Sequence, residues 1–222
     1  MLTLSFDTNF NKTYMVLKRD GEIVNSETIE STETNYHSAF FMPTLQKLLK
    51  NNEILIKDID AIGVDIGPGS FTGIRAGITI ARVLCQQTNT KLVGINSLEI
   101  LSKINEKGTK TIIILDARKN RVYYAEYENN KEIIAPKLVE KDDLLEIIDK
   151  KAYIITDKSI GEFLKEKGIT TIEYEKNDKN IGIFLSDIVE EKLQDINNKF
   201  NWAEVKPLYI QQPSITKPKE VK

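Results

Sequence analysis

One cysteine and one histidine in 222 residues leave little for several kinds of chemistry. With Cys85 alone there is neither an internal disulfide nor a Cys-x-x-Cys metal site, and its place in an apolar helical stretch reads as a buried structural thiol rather than a nucleophile. His37 is followed four residues later by Phe41, where a metal site would need a second imidazole on the same helical face. No GxSxG elbow places a serine beside it. An excess of charge of one sign is missing too. The 31 basic and 33 acidic residues leave a net charge of −2, which argues against a chain-wide cationic surface for nucleic acid. No apolar run reaches membrane-spanning length, and Met1 to Asp7 lack a signal-peptide pattern, so the chain is expected in the cytoplasm with no membrane contact.

A hydrophobic content of 41% is enough to fill a core, and the length suits one large α/β domain or two small packed lobes. Leu2, Leu4 and Phe6 alternate with polar residues, and further strands are predicted over 13–17 and 22–29, with Asp20-Gly21 as a tight hairpin turn. A helix is predicted from about Tyr36 to Leu49, where Pro43 either kinks the segment or marks a start near Met42. A strand over 61–66, a helix over 71–87, a strand over 92–95 and a helix from Ser97 complete the first half. The second half repeats the order: strands over 111–115, 121–127 and 133–139, a short helix over 144–148, a strand over 152–156, and helices over 160–167 and 181–193.

The halves also match in residues. Phe6-Asp7-Thr8-Asn9-Phe10-Asn11-Lys12-Thr13-Tyr14 resembles Leu115-Asp116-Ala117-Arg118-Lys119-Asn120-Arg121-Val122-Tyr123, each with a strand-ending Asp, a later Asn, a basic residue and a β-branched residue before Tyr. Duplication follows, with a first lobe over 1–106, a second over 107–210 and a flexible tail over 211–222. The lobes are expected to meet at a cleft near Lys103 to Lys110, with Asp7 and Asp116 facing each other across it and Arg118 nearby.

The sharpest local signal is Ile62 to Gly77, an apolar strand that passes through Gly67-Pro68-Gly69 into a helix with Ser70 as candidate cap. It is neither a Walker loop nor a GxGxxG fingerprint, although its backbone amides could cradle an anion. Ser70, Gly73, Gly77 and Ala81 recur three or four apart and keep one side of the helix slim, beside Ile74 and Ile78. A mid-helix glycine costs about 1 kcal/mol relative to alanine, which makes sense where another backbone comes close. That neighbour is either part of the same chain or a helix of a second subunit. In the second case Phe41 and Leu45 of the preceding helix join Ser70, Gly73, Ile74, Gly77, Ile78 and Ala81 as the partner interface.

Asp7 and Asp116 stand where a two-lobed phosphotransferase would hold hydrated magnesium. Yet the turns after them, Thr8-Asn9-Phe10-Asn11 and Ala117-Arg118-Lys119-Asn120, lack the glycine that lets phosphate approach backbone amides. No catalytic residue, cofactor or metal is therefore expected. Arg118, Lys119 and Arg121 read as surface charge or as contacts for an anion, and Tyr123, Tyr124 and Tyr127 as packing aromatics of a strand.

These residues resemble the TsaB (YeaZ) family of tRNA threonylcarbamoyladenosine biosynthesis. The resemblance rests on Phe6-Asp7-Thr8, His37-Ser38 with Pro43, Gly67 to Arg75 with Gly77, Ser97-Leu98, Asp116-Ala117-Arg118 with Val122-Tyr123, and Pro207 to Ile210. It implies a two-lobed ASKHA fold (actin-like ATPase, ribonuclease H-like) with duplicated mixed-sheet lobes. It implies a non-catalytic subunit that forms a homodimer when alone and a heterodimer with TsaD through the first-lobe helices. The ATPase TsaE joins that assembly, and tRNA is met only through it. TsaD then carries out threonylcarbamoyl transfer to N6 of adenosine 37 in tRNAs reading A-starting codons. The alternative is an ATP-dependent small-molecule kinase or ATPase that uses the interlobe cleft. Ile74, Ala76 and Gln211 depart from the family pattern, the last standing where arginine is frequent.

Overall fold

A computed structural model describes residues 1–30 and 37–211. Its first half opens with three antiparallel strands, β1 (Leu2–Asp7), β2 (Lys12–Arg19) and β3 (Glu22–Glu30). Asp20 and Gly21, both with positive φ, make the two-residue turn between β2 and β3. After a 3-10 turn over His37–Phe40, α1 runs from Phe41 to Asn51. Pro43 lies in its first turn, where no intrahelical amide bond is lost, so it marks a start rather than a kink. Next come β4 (Ala61–Asp65), α2 (Phe71–Thr88), β5 (Lys91–Ile95) and α3 (Ser97–Ser102). Ser70 Oγ accepts from the Gly73 amide at 3.2 Å, and Asn89 closes α2 in the left-handed region.

The second half gives β6 (Thr111–Asp116), β7 (Arg121–Glu128), β8 (Lys131–Glu140), α4 (Leu144–Ile147), β9 (Tyr153–Thr156), α5 (Lys158–Glu166), β10 (Ile172–Glu173) and α6 (Ile181–Leu193). The two sheets have the orders β3-β2-β1-β4-β5 and β8-β7-β6-β9-β10, each with an antiparallel meander followed by parallel strands. This is the duplicated two-lobed ASKHA arrangement expected from the sequence. The two-residue β10 is too short to show a period and went unpredicted.

Three cores hold the molecule together. Phe41, Leu45 and Leu48 of α1 with Ile74, Ile78 and Ala81 of α2 cover one face of the first sheet. Leu144, Ile160 and Leu164 cover the second sheet in the same way. Between the lobes lies a shared core in which helices are exchanged: α6 packs on β1, β2 and β5 of the first sheet, while α3 packs on β6 and β7 of the second. Lys18 of β2, nearly buried, pairs with Asp187 (2.6 Å) and Glu190 (2.9 Å) of α6. The chain then stays with the first lobe, as the Leu92 amide bonds to the Phe200 carbonyl at 3.1 Å and Trp202 and Val205 pack on its core. The packing thus crosses the boundary expected at 106/107. Of the tail expected over 211–222, Gln211 is described and lies against the second lobe, and residues 212–222 lie outside the described residues. No helix among the described residues is long and apolar enough to cross a membrane.

Candidate functional site

Strands β1 and β6 both run toward a cavity of about 780 Å³ between the lobes. Its walls include Asn9, Phe71, Asp116, Arg118 and Tyr174, with the residues that follow Pro207 along one side. This corrects the placing of the cleft near Lys103 to Lys110, because that connection enters β6 at its start and the cavity lies at its end. Lys103 pairs with Glu191 and Lys110 with Glu126.

Asp116 and Arg118 line the cavity, but Asp7 does not face them across it. The register of β1 against β4 pairs Phe6 with Val64, so the two strands end side by side on Asp7 and Asp65. Asp7 has no exposed surface. Its carboxylate oxygens accept from the Asn9 amide (2.8 Å) and the Phe10 amide (3.4 Å). Asp65 accepts from the Gly67 amide (2.7 Å) and from Ser97 Oγ (2.8 Å), and Asn9 Nδ2 bridges Asp65 (3.3 Å), the Pro68 carbonyl (3.1 Å) and Ser97 (2.7 Å). Burial and the charge of Asp65 hold the Asp7 carboxyl well above the usual carboxylate range, and burial raises Asp65 too. The Gly67-Pro68 peptide bond in the adjoining loop is cis.

In the second lobe the Asp116 turn is held differently. The Arg118 amide donates to Asp116 Oδ1 at 3.0 Å, and the Asp116 amide donates to Asp157, which also caps α5 through the Ile160 amide at 2.9 Å. Arg118, Lys119 and Asn120 all have φ between 53° and 63°, a left-handed run that costs each such residue about 1 kcal/mol or more. In both lobes, then, amides of the turn point at the chain's own aspartate, where a phosphate-binding loop would leave them to the ligand. Asp7 is likewise unsuited to an open magnesium site, since burial and internal bonds occupy it. Among the described residues no group of three or more His, Cys, Asp or Glu could hold a metal ion.

The residues expected at a partner interface sit on the wrong side for that role. Phe41, Leu45, Ile74, Ile78 and Ala81 are buried in the first lobe's own core. Gly73 and Gly77 are buried against the Asp7 turn: a methyl on Gly73 would collide with the Thr8 carbonyl oxygen, and one on Gly77 would sit 2.5 Å from Thr8 Oγ1. Thr8 Oγ1 donates to the Gly73 carbonyl at 2.7 Å, which braces the helix against the turn. The slim side of α2 therefore meets its own chain, and of the eight residues only Ser70 is exposed, as helix cap and cavity wall.

The outward row of α2 is Phe71, Arg75, Thr79 and Val83, all exposed and four apart. Phe71 is 46% and Val83 51% exposed, and Met42 of α1 is 47% exposed. The Arg75 guanidinium lies 5.1 Å from the Phe71 ring centre. Sequence reasoning passed over this row, although it is the helical complement of the slim side. It also passed over Asn9, Asp65 and Ser97 as one network; the signal for Asp65 was an acid closing an apolar strand, as in β1 and β6.

The family model described as TsaD, tRNA N6-adenosine threonylcarbamoyltransferase, matches residues 24–218. The tRNA threonylcarbamoyladenosine biosynthesis protein TsaB of Bacillus subtilis is 31% identical over 157 residues, covering 68% of this chain and 67% of the relative. The TsaB of Escherichia coli is 29% identical over 134 residues, with 59% of this chain matched and 57% of the relative's length spanned. YeaZ from Pseudomonas aeruginosa superposes with a TM-score of 0.74 at 17% identity, over 94% of this chain and 99% of that one, and so shares the fold. With the Bacillus TsaB 31% identical and aligned over two thirds of both proteins, the chain belongs to the TsaB (YeaZ) family.

Proposed function

We propose that this chain is a non-catalytic partner subunit in the formation of threonylcarbamoyladenosine on tRNA, where it binds and supports a TsaD-type transferase. The names carried by its relatives support the pathway. The partner role is carried by one observation: the strand-ending Asp7, the residue best placed for phosphoryl chemistry, is fully buried and takes the amides of its own turn. In this reading the chain works in the cytoplasm, pairs with itself when alone, is joined by a TsaE-type ATPase once the transferase is bound, and meets tRNA only through that assembly. The contact face is the outward row of α2 with Met42 of α1, since the inward row is already covered. Exposed aromatic and aliphatic side chains flanked by arginine suit a protein interface.

Assembly of the purified chain with the transferase, followed by light scattering and calorimetry, tests this face. Phe71→Ala with Val83→Lys is expected to weaken assembly by at least about tenfold while leaving the fold intact. Full-strength assembly by that double variant would remove the face from the proposal.

The cavity's size favours a second reading, an ATPase or small-molecule kinase working between the lobes. Stoichiometric binding of magnesium and ATP by the isolated chain, lost on disrupting the Asp7 turn, would put that reading first.

A further inference from the structure

After Pro207 the chain leaves the first lobe and passes along the cavity to the second. The Leu208 amide donates to the Ile66 carbonyl at 2.8 Å, just beyond β4. Tyr209 stacks on Phe71 with ring centres 5.5 Å apart and planes 28° from parallel. Gln211, with its amide turned so that both ends find partners, donates to the Ala117 carbonyl at 3.0 Å and accepts from the Arg121 guanidinium at 2.7 Å. Ala117 and Arg121 are the two feet of the left-handed turn, joined by the bond from the Ala117 amide to the Arg121 carbonyl at 2.9 Å. One side chain of the C-terminal segment thus grips the base of the second lobe's turn while its backbone is tied to the first lobe.

These ties are few and thinly covered. Each is single: one backbone bond, one ring stack between side chains that are both nearly half exposed, and one uncharged amide. Segments of this kind open locally at much lower free energy than the strands beneath them. The lobes, by contrast, are joined by a buried core through α3 and α6 that owes nothing to Gln211.

We propose that residues 207–211 form a releasable strap over the interlobe cavity, latched to the second lobe by Gln211, which lets go without unfolding either lobe. Release would uncover the cavity side now lined by Leu208, Tyr209, Ile210 and Gln211, and would remove the grip on the strained turn at Arg118 to Asn120. Access to the cavity would then depend on the state of the C-terminal segment.

Residue-resolved hydrogen exchange on the full chain tests this. The Leu208 amide is expected to exchange at least about 100-fold faster, relative to its intrinsic rate, than the hydrogen-bonded amides of β4 and β6. Gln211→Ala is expected to speed Leu208 a further roughly fivefold to tenfold, the worth of about one hydrogen bond, and to leave β4 and β6 unchanged. Tyr209→Ala should act on the same amide in the same direction. Leu208 exchanging in step with β4, or either variant accelerating all of these amides equally, would show that the segment is an inseparable part of the fold and would overturn the proposal. So would unchanged protection of Leu208 in Gln211→Ala.

Discussion

The two lobes share strand order, strand sense and a strand-ending aspartate, yet those aspartates live in opposite surroundings. Asp7 is sealed beside Asp65, which with burial holds its carboxyl well above the usual range, whereas Asp116 is exposed at the cavity and steadies a left-handed turn. Register accounts for part of this. Asp7 pairs with Tyr14 but Asp116 pairs with Val122, so the matching nine-residue stretches are offset by one position in their hairpins. A one-residue slip changes which side chains share a face. The helices add the rest: α2 lies on Thr8 and closes the Asp7 turn from above, while among the described residues no helix of comparable length covers the Asp116 turn. Duplication therefore fixes topology and leaves the chemistry of each turn to its local cover.

The sharpest way to break this comparison is to put one methyl group into each lobe. Gly73→Ala drives a carbon into the Thr8 carbonyl, backbone against backbone, and is expected to destabilise the isolated chain by about 3 kcal/mol or more in chemical denaturation. Gly161→Ala in α5 meets only side-chain atoms of Thr156 and Glu173 at about 3 Å, which can shift, and should stay within about 1 kcal/mol of the parent. Equal effects would mean that the closure of the first lobe is no tighter than that of the second.

Truncating the two aspartates comes next. Asp7→Ala leaves the buried Asn9 and Phe10 amides without their acceptor and is expected to cost about 2–3 kcal/mol. Asp116→Ala, at an exposed turn, should cost less than about 1 kcal/mol.

The smallest effect is on pH dependence. A carboxyl whose folded pKa is raised favours the folded state fully below its ordinary value of 3.8, and that contribution is lost as pH rises toward the folded value. Asp7→Asn keeps the shape and a donor toward Asp65 but no longer titrates. As pH rises above about 4 the parent should therefore lose stability relative to Asp7→Asn. Parallel thermal-denaturation profiles for Asp7→Asn and the parent would mean that the folded state does not raise the Asp7 carboxyl.

Most strands and helices were legible because alternation and helical spacing are local. The exchange of α3 and α6 was not, since an apolar helix face does not state which sheet it will cover. The slim side of α2 was legible as a place of close approach, but its neighbour, Thr8, lies 65 positions earlier in the chain. Of the candidate site, Asp7, Asp116 and Arg118 stood out as chemistry-bearing residues. Their environments depended on long-range pairing, such as β1 beside β4, that no stretch of sequence displays. Phe71 and Val83 were overlooked because small residues drew attention to the opposite face.

The exchanged helix α6 also sets a rule for how this chain acquires its shape. β1 emerges from the ribosome long before α6, the helix that shields its second face. The nascent first sheet must wait with one side bare, and contacts of such long sequence separation slow folding. Completion then comes as a single late step that seals both halves together, so a protein cut at the repeat boundary would hold two unfinished halves rather than two working ones.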